Sequence, residues 1–151
     1  MKILMVCMGN ICRSPLAESY FKSLTAKAYP SVQIYSAGTH DYHDGSPADP
    51  RAIMLAKENN IDITNHKARY INKINLLMFD YIFSMDLNNL LFLSAHFIAL
   101  KHRQYLLTSF SNKLEVVPDP YYGDINAFNQ SFKVIKAGCR SLYEQLFILN
   151  K

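Results

Sequence analysis

Lys2-Ile3-Leu4-Met5-Val6-Cys7-Met8-Gly9-Asn10-Ile11-Cys12-Arg13-Ser14-Pro15 is the stretch on which the reading of this chain turns. Lys2 to Val6 is a short, nearly continuous apolar run, the pattern of a strand buried on both faces. A helix is predicted to start directly after Arg13, with Ser14 as its N-cap and Pro15 at the first helical position, where a missing N–H costs nothing. Ala17, Tyr20, Phe21, Leu24 and Ala28 then recur at helical spacing, so one face of that helix can bury against a sheet. Between strand and helix lies a loop from Cys7 to Arg13. Such a loop turns its backbone N–H groups inward, and the helix N-terminus adds partial positive charge. It is a site for an oxyanion.

The residues at the two ends of the loop decide what is done with that oxyanion. Inward N–H groups, a helix N-terminus and a nearby cation favour a thiolate, so Cys7 is expected to be reactive. Arg13 offers a planar fork of donors that holds two phosphate oxygens at once and keeps its charge. Gly9 lets the backbone come close to the anion, and Asn10 tolerates a left-handed backbone. Ser14 can donate a hydrogen bond to the Cys7 sulfur. Met8, Gly9, Asn10, Ile11, Cys12 and Ser14 are read as the substrate-binding lining of the loop.

Working outward, strands and helices alternate. Val32 to Ser36 reads as a second strand, Ala48 to Asn59 as a helix with Pro50 in its first turn, and Phe79 to Met85 as a third strand. Leu87 to His96 reads as a helix and Gln104 to Thr108 as a fourth strand. A final helix from about Asn126 to Leu149 carries Phe128, Phe132, Ile135, Cys139, Leu142 and Leu146 as a stripe that must face the core. This alternation predicts an α/β fold: a single domain over residues 1–151, with a four-stranded parallel sheet flanked by helices on both faces and the phosphate-binding loop after the first strand. Ligands of such sheets bind beyond the C-terminal ends of the strands, where Cys7 lies.

Composition narrows the function classes. The chain has 151 residues, enough for a packed core without staples, and is half apolar, which excludes disorder. The net charge of +4 is scattered rather than gathered into a basic block, so no nucleic-acid partner is expected. The richest apolar run, Leu90 to Leu100, is broken by Ser94 and His96, and the N-terminus lacks the pattern of a signal peptide, so no membrane partner is expected either. Three cysteines, an odd number, fit a reducing compartment, and a cytoplasmic location follows. The histidines of the Thr39 to Asp44 loop lack paired ligands elsewhere. The chemistry calls for no metal and no cofactor.

A second constellation is Pro118-Asp119-Pro120-Tyr121-Tyr122-Gly123. The flanking prolines restrict the backbone and argue for a placed carboxyl group. Facing the loop, Asp119 can protonate a leaving oxygen and then take a proton from attacking water. Tyr121 and Tyr122 can wall a planar substrate.

With these residues in place the chain resembles the low-molecular-weight protein tyrosine phosphatases over nearly its whole length. The resemblance rests on Val6 to Glu18, on Ser36-Ala37-Gly38-Thr39, on Asn65 to Arg69 with His66, on Phe79-Asp80-Tyr81-Ile82 followed by Met85-Asp86, and on Asp119-Pro120-Tyr121-Tyr122. It implies Cys7 as nucleophile, Arg13 as phosphate clamp and Asp119 as general acid, with Asn10, Ser14, Ser36 and His66 supporting the loop. It also implies a tyrosine-phosphorylated protein as substrate, inorganic phosphate as product, and a Cys12 placed for a reversible disulfide with Cys7. Where the family often carries a tryptophan at the cleft rim, this chain reads His40-Asp41-Tyr42-His43-Asp44, with Tyr42 at the aromatic position. Two other activities remain open on sequence. An arsenate reductase shares the fold and loop but needs further cysteines downstream, where only Cys139 is found; a cysteine phosphocarrier needs neither Arg13 nor Asp119.

Overall fold

The computed structural model describes residues 1–149, and its core is one parallel sheet. The elements follow in the order β1 (Lys2–Cys7), α1 (Arg13–Thr25), β2 (Gln33–Gly38), α2 (Pro50–Glu58), β3 (Tyr81–Ser84), α3 (Leu87–His96), β4 (Gln104–Leu106) and α4 (Ile125–Glu144). The strand order is β2-β1-β3-β4, and every neighbouring pair is parallel. Alternate residues of β1 serve opposite faces. Ile3, Met5 and Cys7 join the cluster built with Leu16, Phe21, Phe128 and Phe132, whereas Leu4 and Val6 join Ile71, Phe79, Ile82 and Leu93. Both faces of the sheet are therefore covered, as the unbroken apolar run of β1 requires.

The predicted elements are present with shifted ends. The first helix begins two residues earlier than its sequence suggests: Cys12 occupies the N-cap position, Arg13 is the first helical residue, and Ser14 and Pro15 lie inside the first turn. The Ser14 hydroxyl is directed to the loop and caps no backbone N–H. Ala28 is exposed and beyond the helix end, so the buried face is Leu16, Ala17, Tyr20, Phe21 and Thr25. At α2 Pro50 lies in the first turn as read, but the helix is shorter than Ala48 to Asn59: Asp49 caps it, Pro50 opens it, Asn59 closes it, and Asn60 follows at φ 59°. The stripe of α4 is buried from Phe128 to Leu142, after which Gln145–Leu149 continues as a wider π turn that carries Leu146, packed at the edge of the core. The third and fourth strands are shorter than predicted, because pairing ends at Ser84 and Leu106. Among the described residues no helix is long and apolar enough to cross a membrane.

Three strand ends converge at one edge. Cys7 closes β1, Gly38 closes β2, and Met85-Asp86 follow β3, with Val117 held there by its N–H to the Met85 carbonyl at 2.8 Å. Gly38 packs so closely that a Cβ would stand 2.7 Å from the Met8 carbonyl oxygen and 3.2 Å from the Asn10 nitrogen. These neighbours are backbone and cannot rotate away. Gly38→Ala is expected to destabilise the fold by about 1–3 kcal/mol, the usual range for overpacking, and to displace the loop between β1 and α1. Urea unfolding checks this; an unchanged midpoint would mean that the end of β2 moves freely.

Candidate active site

The loop from Cys7 to Arg13 wraps the base of a cavity of about 180 Å³. Cys7, Met8, Gly9, Ile11, Cys12 and Arg13 form its floor, and Tyr42, His43, Asp119, Tyr121 and Tyr122 form its walls. Cys7 is only 3% exposed, but what it exposes faces this cavity. Asn10 holds φ at 57°, a left-handed conformation that a short polar side chain tolerates. This bend aims the Asn10 N–H at the Cys7 sulfur, 3.3 Å away. The Ser14 hydroxyl stands 3.0 Å from the same sulfur.

Behind the loop the polar groups form a chain with a fixed direction. Asn10 is fully buried; its Oδ1 accepts from the Arg69 backbone N–H at 2.9 Å, and its Nδ2 donates to both Ser14 Oγ and Ser36 Oγ at 2.8 Å. Ser36 in turn donates to the Glu18 carboxylate, which can only accept while ionised and which also pairs with Lys22. With Ser36 and Ser14 each accepting from Asn10, the Ser14 O–H is left to donate to Cys7 Sγ. His66 Nε2 donates to the Asn10 carbonyl at 2.8 Å. Burial pushes the His66 pKa below its ordinary value, and the bond to Asn10 only partly opposes this. The imidazole therefore favours its neutral form.

Arg13 is anchored from two later segments of the chain. It is 2% exposed, and its Nη1 donates to Asp86 Oδ2 at 2.5 Å and to the Val117 carbonyl at 3.1 Å, while Nη2 lies 3.4 Å from Asp119 Oδ2. Burial works against its charge, but Cys7, Asp86 and Asp119 outweigh burial and raise its pKa above the ordinary value. Asp86 does two things at once. Its Oδ1 accepts from Asn89 N at 2.9 Å, closing a capping box on α3, while Oδ2 holds the guanidinium.

The opposite wall is less buried. The Asp119 side chain is 44% exposed, and its Oδ1 accepts from the Tyr121 N–H at 3.2 Å. Tyr121 and Tyr122 meet edge to face with ring centroids 4.9 Å apart, and Tyr122 is 95% exposed. Arg51 pins this segment from α2: it donates to the Gly123 and Tyr121 carbonyls at 2.8 and 3.0 Å, pairs with Asp49, and lies 4.5 Å over the Phe128 ring. Cys12 sits nearby with its thiol pushed up, first by burial and then by the charge of Asp49. All three cysteines are free thiols.

The cavity thus brings together Cys7, Met8, Gly9, Ile11, Cys12, Arg13, Tyr42, Asp119, Tyr121 and Tyr122 from the sequence reading. Asn10 and Ser14, read there as substrate-binding, place their side chains behind the loop instead, with Ser36 and His66. Gly9 is tight for a reason the sequence did not suggest: a Cβ there would stand 2.9 Å from the His43 ring. The reading gave no role to Asp86, Glu18 or Arg51, and named His43 only as part of the rim. Asp86 alone left a local signal, as a helix N-cap with Asn89 three residues on.

The chain matches the family model described as low molecular weight phosphotyrosine protein phosphatase over residues 2–148. A Drosophila melanogaster protein named low molecular weight phosphotyrosine protein phosphatase 2 is 38% identical over 152 aligned residues, covering 95% of this chain and 90% of that protein. Among solved structures, a protein tyrosine phosphatase from Entamoeba histolytica superposes with a TM-score of 0.88 at 33% identity, covering 97% of this chain and 96% of that one. A Drosophila arginine phosphatase superposes with a TM-score of 0.87 at 32% identity, covering 97% and 98%. The chain belongs to the low molecular weight phosphotyrosine protein phosphatase family.

Proposed function

We propose that this chain is one phosphatase domain that hydrolyses phosphotyrosine, on proteins and in small aryl phosphates, through a cysteinyl-phosphate. The observation that carries this is the Cys7 sulfur on the cavity floor, with N–H and O–H donors aimed at it and the buried Arg13 guanidinium at the far end of the same loop. Cys7 thiolate attacks phosphorus while Asp119 protonates the departing phenolic oxygen. Water, deprotonated by the Asp119 carboxylate, then attacks the cysteinyl-phosphate and releases inorganic phosphate as the sulfur leaves. Ser14 donates to that leaving sulfur. Loop N–H groups and Arg13 hold the equatorial oxygens in both steps, and such fixed donors supply most of the acceleration in phosphoryl transfer. The free thiols fit a reducing, cytoplasmic setting.

Arsenate reduction is disfavoured because Cys139, the one cysteine downstream of the loop, is fully buried on α4 and cannot reach the cavity. The relative named an arginine phosphatase makes phosphoarginine the competing substrate. Here the cavity wall favours an aromatic ring: Tyr42, Tyr121 and Tyr122 flank it, and Asp119 is the single carboxylate among the lining residues. Asp119 is also the proton donor for the leaving group, so the rings are what the wall offers the substrate side chain, and they suit a phenyl ring. Matched phosphotyrosine and phosphoarginine peptides, assayed for phosphate release, are expected to differ by about tenfold or more in kcat/KM, the equivalent of covering one aromatic side chain. Equal rates, or a preference for phosphoarginine, would overturn the assignment to phosphotyrosine.

A further inference from the structure

The helix that starts beside the cavity has an uncharged outer face. Leu87–His96 contains no Asp, Glu, Lys or Arg, although surface helices of globular proteins ordinarily place charge toward solvent. Leu87 and Leu91, four residues apart and so on one face, are 55% and 65% exposed. On the adjoining stripe Phe92 and His96 stack with ring centroids 4.1 Å apart. From Phe92 the rings continue to His40 at 5.9 Å and from His40 to Tyr42 at 5.2 Å, and Tyr42 is itself a wall of the cavity. The helix also begins at Asp86, the residue that holds Arg13. The uncharged face is thus continuous with the cavity by two routes, the helix start and the row of rings.

We propose that this face of α3 is the docking surface for the polypeptide on one side of the phosphotyrosine, and that it selects substrates carrying apolar side chains there. The inference rests on the phosphatase reading and adds a substrate class to it. A polypeptide whose phosphotyrosine enters the cavity has to leave across the rim. Across the wall formed by Asp119, Tyr121 and Tyr122 it meets a carboxylate and a strongly exposed tyrosine; across Tyr42 it meets stacked rings and then leucines that water now covers. The ten residues of α3 extend about 15 Å at the α-helical rise, a length that an extended peptide spans in about four or five residues. Covering two exposed leucines and the edges of the rings takes apolar surface out of water, which is the gain that selects such a substrate. The occupant is the substrate chain rather than a second copy, because the patch joins the site that the substrate must enter.

The test uses phosphotyrosine peptides of equal length and charge with Leu and Phe at the four positions before the phosphotyrosine, at the four positions after it, or Ser throughout, with p-nitrophenyl phosphate as the flankless substrate. One apolar peptide is expected to exceed the Ser peptide by about tenfold in kcat/KM, the equivalent of burying one apolar side chain. Leu91→Lys should remove that advantage, Leu91→Met should keep it, and both should leave p-nitrophenyl phosphate turnover as it is, since Leu91 is exposed and touches nothing in the cavity. Equal rates on all peptides, or a preference that survives Leu91→Lys, overturns the proposal. So does a wild-type dimer in sedimentation that Leu91→Lys dissolves, which would assign the face to self-association. Failure of the wild-type protein to hydrolyse p-nitrophenyl phosphate would remove the phosphatase reading and this inference together, whereas equal peptide rates with good aryl turnover would remove only the latter.

Discussion

Cys7→Ser is expected to reduce turnover of an aryl phosphate by on the order of 10⁴-fold or more while inorganic phosphate still binds. The hydroxyl that replaces the thiol is a far weaker nucleophile, and the site contains no carboxylate or imidazole in hydrogen-bond contact with that atom to act as its base: its neighbours are the Asn10 N–H and the Ser14 hydroxyl. The anion site itself is untouched, because Arg13 is fixed by Asp86 and Val117 and the loop backbone by Asn10, and none of those bonds passes through the sulfur. Stopped assays with p-nitrophenyl phosphate and calorimetric titration with phosphate read the two properties separately. A variant that keeps turnover would show that Cys7 does not receive the phosphoryl group. A variant that loses both turnover and phosphate affinity would show that the sulfur holds the loop in shape.

Asp119→Asn is expected to slow the reaction by roughly 10²–10⁴-fold, the range for losing a general acid, and more for phenyl phosphate than for p-nitrophenyl phosphate. The amide keeps the size of the side chain and can still accept from the Tyr121 N–H, so the segment held by Arg51 should stay in place. What is lost is the proton for the phenolic oxygen, and that proton matters most when the departing phenolate is basic. The carboxyl group lies at the open edge of the cavity, 44% exposed and 3.4 Å from Arg13, within reach of a leaving group and of water. A rate loss equal for both leaving groups would assign Asp119 to holding Arg13 rather than to proton transfer.

Much of the site was legible in the sequence because its chemistry is concentrated in one short segment. Cys7, Arg13 and the bend at Asn10 lie within a single loop, and the apolar run before it and the periodic helix after it are local patterns that report their own burial. The alternation of strands and helices was legible for the same reason, and it is enough to imply a parallel sheet. The helix start was misjudged by local rules. Ser14 has the residue type of a cap, but the loop needs its hydroxyl at Cys7 and Asn10, so the helix begins at Arg13 with no side-chain cap at all. Hydrogen bonds within the loop displaced a helix cap.

Local residue patterns are enough to read a loop with a thiol and a guanidinium at its ends, set between a buried strand and a helix. What surrounds that loop comes from distant segments. Asp86 reaches Arg13 from 73 residues away and Val117 from 104, and Arg51 grips the Tyr121–Gly123 backbone from 70 and 72. The first two meetings follow from the strand order β2-β1-β3-β4, which brings the ends of β1 and β3 side by side, and the last from α2 lying beside the start of α4. Periodicity reports which face of an element is buried, and it is local. Which elements become neighbours depends on how both faces of the sheet are covered at once, and only the packed chain expresses that.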